Sequence, residues 1–210
     1  MRQQDRLRSL FPVVRRRLCL LDTLVTPMMF LSDSEWDKRV SFVCIEALNA
    51  WVSFMRFFYL SSACGAKMVT GTRVTTARGR MTETTALLEA ARFKKGNPSF
   101  AGKVAWGDEP AWYDARRIRV LFARLGISNE PAFATALGYP TNVLDGLPRF
   151  RNFYAHRNLR TLTTLKPLTL GLPQTKHPSH ALKFAMVGRH RPAIRDWLSD
   201  LINISDLLCN

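Results

Sequence analysis

Residues 149 to 158 read RFRNFYAHRN, a run with three arginines, a histidine and no acid. Those side-chain types can act on a phosphodiester. Histidine exchanges protons near neutral pH, so His156 could take one from a ribose hydroxyl or return one to a leaving oxygen. Arginine offers a rigid fork of donors that fits phosphate oxygens and stays charged throughout. Asn152, one helical turn before His156, could hold the imidazole or the substrate through its amide.

Gly146 and Pro148 punctuate the chain just before this run, and proline fits the first turn of a helix, so a helix is expected from about Pro148. At ~100° per residue, Arg149, Asn152, His156 and Arg160 fall on one side of it, and Leu147, Phe150, Phe153 and Tyr154 gather on the other. One face is core and the other a polar ridge. Arg151 stands apart, ~140° from His156.

In order and spacing, RNFYAH (Arg151 to His156) resembles the signature of the HEPN superfamily: an arginine, a small polar residue, then a histidine after four to six intervening positions. Arg149 also meets the spacing but is followed by Phe150, so Arg151 is the better match. The resemblance implies an all-α, HEPN-like helical bundle that works as a metal-independent endoribonuclease. In it the 2′-hydroxyl attacks the adjacent phosphate, His156 handles protons, Arg151 binds the phosphate and stabilises its developing charge, and Asn152 orients the pair. No cofactor is implied. Two such motifs usually meet across an interface, which implies a homodimer whose copies of Arg149, Arg157 and Arg160 line an RNA groove. A toxin or antiphage-defence role follows, with an antitoxin or defence-system protein as a further partner. Some relatives carry a tyrosine two residues after the histidine that an antitoxin modifies; Asn158 stands there, so that control is not expected.

The elements that must position these residues read as helical. SDSEWDKRVSFVCIEALNAWVSFMRFFYLSSAC starts with Ser32 or Ser34 as N-cap and stops at Gly65, with Phe42, Ile45, Val52, Met55 and Tyr59 at helical spacing. Further helices are expected at about 81–95, at about 109–126 with Pro110 in its first position and Gly126 past its end, over NEPAFATALG, and over PAIRDWLSDLINISDLLC. Residues 1–33 form a basic N-terminal extension, either a helix broken near Pro12 or a flexible arm, and 34–210 the helical domain. Residues 161–191, punctuated by Pro167, Pro173 and Pro178, read as an irregular, partly stranded insertion before the last helix.

The chain of 210 residues holds 31 Lys plus Arg against 16 Asp plus Glu, a formal net charge of +15. A field of that size favours polyanions, nucleic acid first and anionic membrane surfaces second. Hydrophobic residues at 47% and charged residues at 22% exclude a disordered chain. Four cysteines without a C-x-x-C pair suit a reducing compartment, and no signal-like segment opens the chain, so a cytoplasmic location is expected. Glu46, Asn49 and Arg56 interrupt the most apolar stretch and argue against a membrane span.

Other chemistry is thinly represented. His177 and His180 are three apart, but Pro178 lies between them and no third ligand adjoins, so no metal site is expected. Nucleophile-elbow, P-loop and dinucleotide motifs are missing. Glu46 and Asn49 read as a satisfied polar pair in the core of the long helix, with Glu46 an auxiliary to the motif at most. Two rival functions stay open: a HEPN-like bundle that binds RNA or a protein without cutting, and a basic adaptor for DNA or membrane surfaces.

Overall fold

The longest element begins where its acids are. Ser32 caps helix α2, its carbonyl accepting from Trp36 N at 2.8 Å, and Asp33 and Glu35 occupy the first turn, where the helix dipole favours negative charge. The helix runs Asp33–Ala63, about 46 Å at 1.5 Å per residue. It ends in a Schellman arrangement: Ala66 N donates to Ser61 O (2.9 Å), Gly65 N to Ser62 O (3.0 Å), and Gly65 takes φ +78°. Arg80 Nε donates to Cys64 O (2.8 Å) and Arg73 Nη1 to Gly65 O (2.9 Å), placing cations on the negative end of the helix.

The computed structural model describes residues 5–165, 177–184 and 191–210. Among them the chain is all-α, with no strand and only isolated bridges at Arg6, Lys67 and Arg73. After a 3-10 turn at Leu7–Leu10 the helices are α1 (Phe11–Met28), α2, α3 (Glu83–Lys95), α4 (Ala115–Leu125), α5 (Glu130–Leu137), α6 (Val143–His156), α7 (Leu159–Leu165), α8 (Ser179–Lys183) and α9 (Ala193–Cys209). The basic N-terminal stretch is thus helical, with the 3-10 turn giving way to α1 just before Pro12, and it buries Leu10, Val14, Leu18, Leu21 and Val25. By length and composition, α2 alone among the described residues could also cross a bilayer; half of its most apolar stretch is buried inside the fold.

Two compact units share the chain, and α1, α2 and α9 each contribute to both. One comprises residues 1–14, 51–139 and 204–210. Its core is aromatic: Phe58 stacks on Phe122 (5.6 Å), Phe133 meets Phe122 edge-on (4.9 Å), and Tyr59 leans on Trp112 while its hydroxyl donates to Ala86 O (2.7 Å). Glu109 is buried here but fully paired, accepting two bonds from Arg56 and one from Trp112 Nε1. The second unit comprises 15–50 and 140–203 and contains α6, with Trp36, Val40, Val43, Ala47, Phe150, Ile194, Trp197 and Leu198 buried.

Several helices differ from the sequence expectation. α4 starts at Ala115, not near Pro110, because Glu109 is pulled into its pairing with Arg56 and adopts the extended backbone (φ −73°, ψ 151°) that a following proline favours; Asp114 is the cap, accepting from Arg117 N at 3.0 Å. α6 starts at Val143, before Pro148, since Thr141 Oγ1 accepts from Val143 N and Asn142 O from Gly146 N, closing the first turn early. On α2 the buried face is Trp36, Val40, Val43, Ala47, Trp51, Phe54 and Phe58, while Phe42 is 54% exposed. Glu46 and Asn49 therefore pair with each other (3.0 Å) toward solvent rather than in the core, and Arg17 joins Glu46 at 3.3 Å. Part of the stretch expected as an irregular insertion is helical, in α7 and α8; residues 166–176 and 185–190 lie outside the described residues.

Gly146 is where α6 meets Trp197: a Cβ there would lie 2.5 and 2.6 Å from Cζ2 and Cη2 of the indole. Gly146→Ala should lower unfolding free energy by about 1–3 kcal/mol, read by denaturant titration. Asp22 supplies a pH test. Arg195 grips its carboxylate through two bonds (2.7 and 2.6 Å), which holds the Asp22 carboxyl below its ordinary value against the opposing pull of burial, with Arg191 adding at longer range. A depressed folded pKa means this stability is complete above the ordinary carboxylate value and drains away as pH falls below it. Asp22→Asn should therefore be less stable at neutral pH and lose less on acidification below about pH 4.

Candidate functional site

The motif run occupies the last turns of α6, and the helix is seated from both ends. Trp197 fills the space over Gly146, meets Phe150 edge-on (5.6 Å) and donates from Nε1 to Asn142 Oδ1 (2.7 Å), while Thr141 Oγ1 donates to Asp200 Oδ2 (2.6 Å). Phe150, Phe153 and Tyr154 are buried, as the 3.6-residue period requires. At the other end Arg157 N closes on Phe153 O (2.7 Å) and Arg157 takes the left-handed conformation (φ 41°), a rare choice for a side-chain-bearing residue. Asn158 then caps α7, its Oδ1 accepting from Thr161 N at 2.9 Å.

Arg157 is held in that pose by Asp37 on α2, Nη1 to Oδ2 at 3.1 Å, and lies over the Tyr154 ring at 5.7 Å. The other oxygen of Asp37 faces His177 Nδ1 at 3.2 Å, and His177 in turn lies against Phe153. One turn earlier on α2, Asp33 faces His180 Nε2 at 3.2 Å, and Trp36 Nε1 donates to Ser179 O (2.9 Å). The two histidines singled out from the sequence thus face separate carboxylates, but His177 Nδ1 accepts from Ser179 N (3.3 Å), so residues 177–183 are fastened by the Trp36–Ser179 bond and by Lys183 Nζ donating to Leu31 O (3.3 Å). Beneath this cluster, burial first, and then the nearby acidic groups, push the Tyr154 phenol and the Cys44 thiol far above their ordinary ranges, so both stay protonated and neither serves as base or nucleophile at neutral pH.

The site residues expected from sequence fall into two sets. His156 is the last residue of α6 and exposed, with Asn152 exposed one turn behind it; among the described residues the His156 imidazole makes no hydrogen bond. Arg151, half-buried, reaches only its neighbour, Nη1 to Asn152 Oδ1 at 3.5 Å, and does not bond to His156. Arg160 is exposed on α7. The remaining two arginines are occupied: Arg149 Nη1 donates to Thr164 O (3.3 Å) near the end of α7, and Arg157 is tied to Asp37. Sequence reasoning missed Asp37, whose signal was its place, with Asp33 and Glu35, in an acid-rich start to α2 in an otherwise basic chain. Compared with protein-family models, with curated proteins and with solved structures, the chain matches none.

Among the described residues the buried Tyr154 hydroxyl has no hydrogen-bond partner. Tyr154→Phe should accordingly leave stability unchanged or raise it, while Asp37→Ala, which frees Arg157, should lower it by on the order of 1 kcal/mol; paired denaturation curves decide both.

Proposed function

We propose that the protein is a HEPN-type, metal-independent endoribonuclease with His156 as its proton-transfer group. The observation that carries this reading is the placement of His156 on the solvent-facing last turn of α6, with Asn152 on the same face one turn back and Arg151 bonded to Asn152. An RNA strand lying along that face would present a 2′-hydroxyl to the imidazole, which accepts its proton as the oxygen attacks the adjacent phosphorus. The 5′-oxygen leaves as the imidazolium returns that proton to it, and a 2′,3′-cyclic phosphate remains. Arg151 would neutralise the charge gathering on the phosphate oxygens, and Arg160 would bind the strand beyond.

The working unit in this reading is a homodimer. Arg151 and His156 diverge by ~140° on one helix, so a second copy brings an arginine to each histidine. A cytoplasmic toxin or antiphage effector restrained by an antitoxin or defence-system protein is the setting that fits. The all-α architecture, the long second helix and the formal charge of +15 support it.

A second reading, an RNA-binding bundle that does not cut, draws on the commitment of Arg149 and Arg157 to structural partners, which leaves fewer cations for a reacting phosphate. Incubation of the protein with RNA in EDTA separates the two. The nuclease reading expects cyclic-phosphate ends, a loss of about 100-fold or more in rate for His156→Ala, and partial recovery when Arg151→Ala and His156→Ala proteins are mixed. Intact RNA, or cleavage indifferent to His156, sinks it in favour of the second.

A further inference from the structure

Four of the five tryptophans are buried, but Trp106 is 64% exposed. Its exposure is not that of a loose loop. Trp106 opens a 3-10 turn, Trp106–Asp108, between α3 and α4, and the turn is fastened on every side. Asp108 accepts from Ala105 N (3.0 Å) and pairs with Lys95 (2.8 Å), which holds its carboxyl below the ordinary value; Lys94 Nζ donates to Gly107 O; and Glu109 is locked to Arg56 (2.6 and 2.9 Å) and Trp112. Upstream, Arg92 Nε fixes Phe100 O at 2.8 Å, and Lys95 lies 4.1 Å from the Phe100 ring centroid. The fold therefore holds a large apolar ring in water in one pose, where burial would have been favourable by hydrophobic transfer.

What surrounds the ring is cationic. Arg56 lies 5.6 Å from the indole centroid, Lys103 is exposed three residues before it in the chain, and Lys94 and Lys95 are exposed and bonded to the turn it opens. The two acids of the turn, Asp108 and Glu109, are already neutralised by Lys95 and Arg56. A preorganised indole among positive charges matches one partner chemistry closely. An unpaired base offers a π-face for the ring, and its backbone offers phosphates for the lysines; a paired base, already stacked on its neighbours, offers the phosphates but no free π-face.

We propose that the face centred on Trp106 binds single-stranded nucleic acid, with a base stacked on the indole and the flanking phosphates held by Lys94 and Lys103. All these residues lie in the unit that does not contain α6, and the proposal stands whatever the fate of the nuclease reading.

The test uses a short single-stranded 2′-O-methyl RNA, which lacks the attacking hydroxyl and so reports binding without cleavage. Because Trp106 is the exposed indole, its emission and its quenching by iodide read the face directly. Binding should quench that emission and shield it from iodide. Trp106→Ala should weaken affinity by about ten-fold, the usual worth of one stacked base, while Trp106→Phe keeps most of it. Lys103→Ala should flatten the dependence of affinity on salt by about one phosphate contact. Failure to bind the strand, binding that leaves Trp106 emission and the Trp106→Ala affinity unchanged, or loss of iodide access in the protein alone as its concentration rises, which would give the face to a second copy, overturns the proposal.

Discussion

The seating of α6 depends on a residue with no side chain. Gly146 lets the helix approach Trp197 so closely that the indole occupies the place of a Cβ, and the same indole then reaches Phe150 with its edge and Asn142 with its N–H. Three contacts of different kind thus converge on one ring. A rigid indole fixes the rotation of α6 about its own axis, and that rotation decides which residues of RFRNFYAHRN are buried and which meet water. The exposure of His156 and Asn152 is a consequence of how Trp197 packs on Gly146, ten and six residues before them.

Positive charge has two uses in this chain. Part of it is spent internally, on backbone carbonyls that no helix satisfies: Arg73 and Arg80 at the end of α2, Arg92 at Phe100, Arg149 at the end of α7. Another part neutralises the scarce acids, several of them buried, as in Glu89 between Arg78 and Arg92. Guanidinium suits both tasks, because its planar fork reaches two acceptors and cannot be deprotonated. Net charge alone therefore overstates the cation supply of any one face, and residues such as Arg160, Lys103 and His156, which are exposed, matter more than the total.

Sequence reasoning read the elements whose signals are local. The start and stop of α2, the Gly126 stop of α4 and the apolar stripe of α9 rest on caps, glycines and periodicity within a few residues, and they stand in the structure. Two prolines misled it for one reason: proline fits a helix start, but Pro110 follows a glutamate drawn away by Arg56, and Pro148 sits inside a helix already begun by Thr141 and Asn142. Of the expected line on α2, Met55 and Tyr59 are buried and Phe42 is exposed, because aromatic residues lie on both sides of the helix and only packing selects between them. At the site, the polar ridge of α6 was legible from a helical wheel. The Asp37 anchor was not, since it joins residues 120 apart in sequence.

That separation has a kinetic counterpart. The indole of Trp36 bonds to Ser179, 143 residues later, and Asp22 waits for Arg195, 173 residues later. Synthesis at roughly 5–20 residues per second leaves the first half of α2 without the partners of its apolar face for on the order of 10 seconds or more. The unit that holds Trp36, Val40 and Val43 therefore closes only when α9 has been made, so its first helices are set in place by the last.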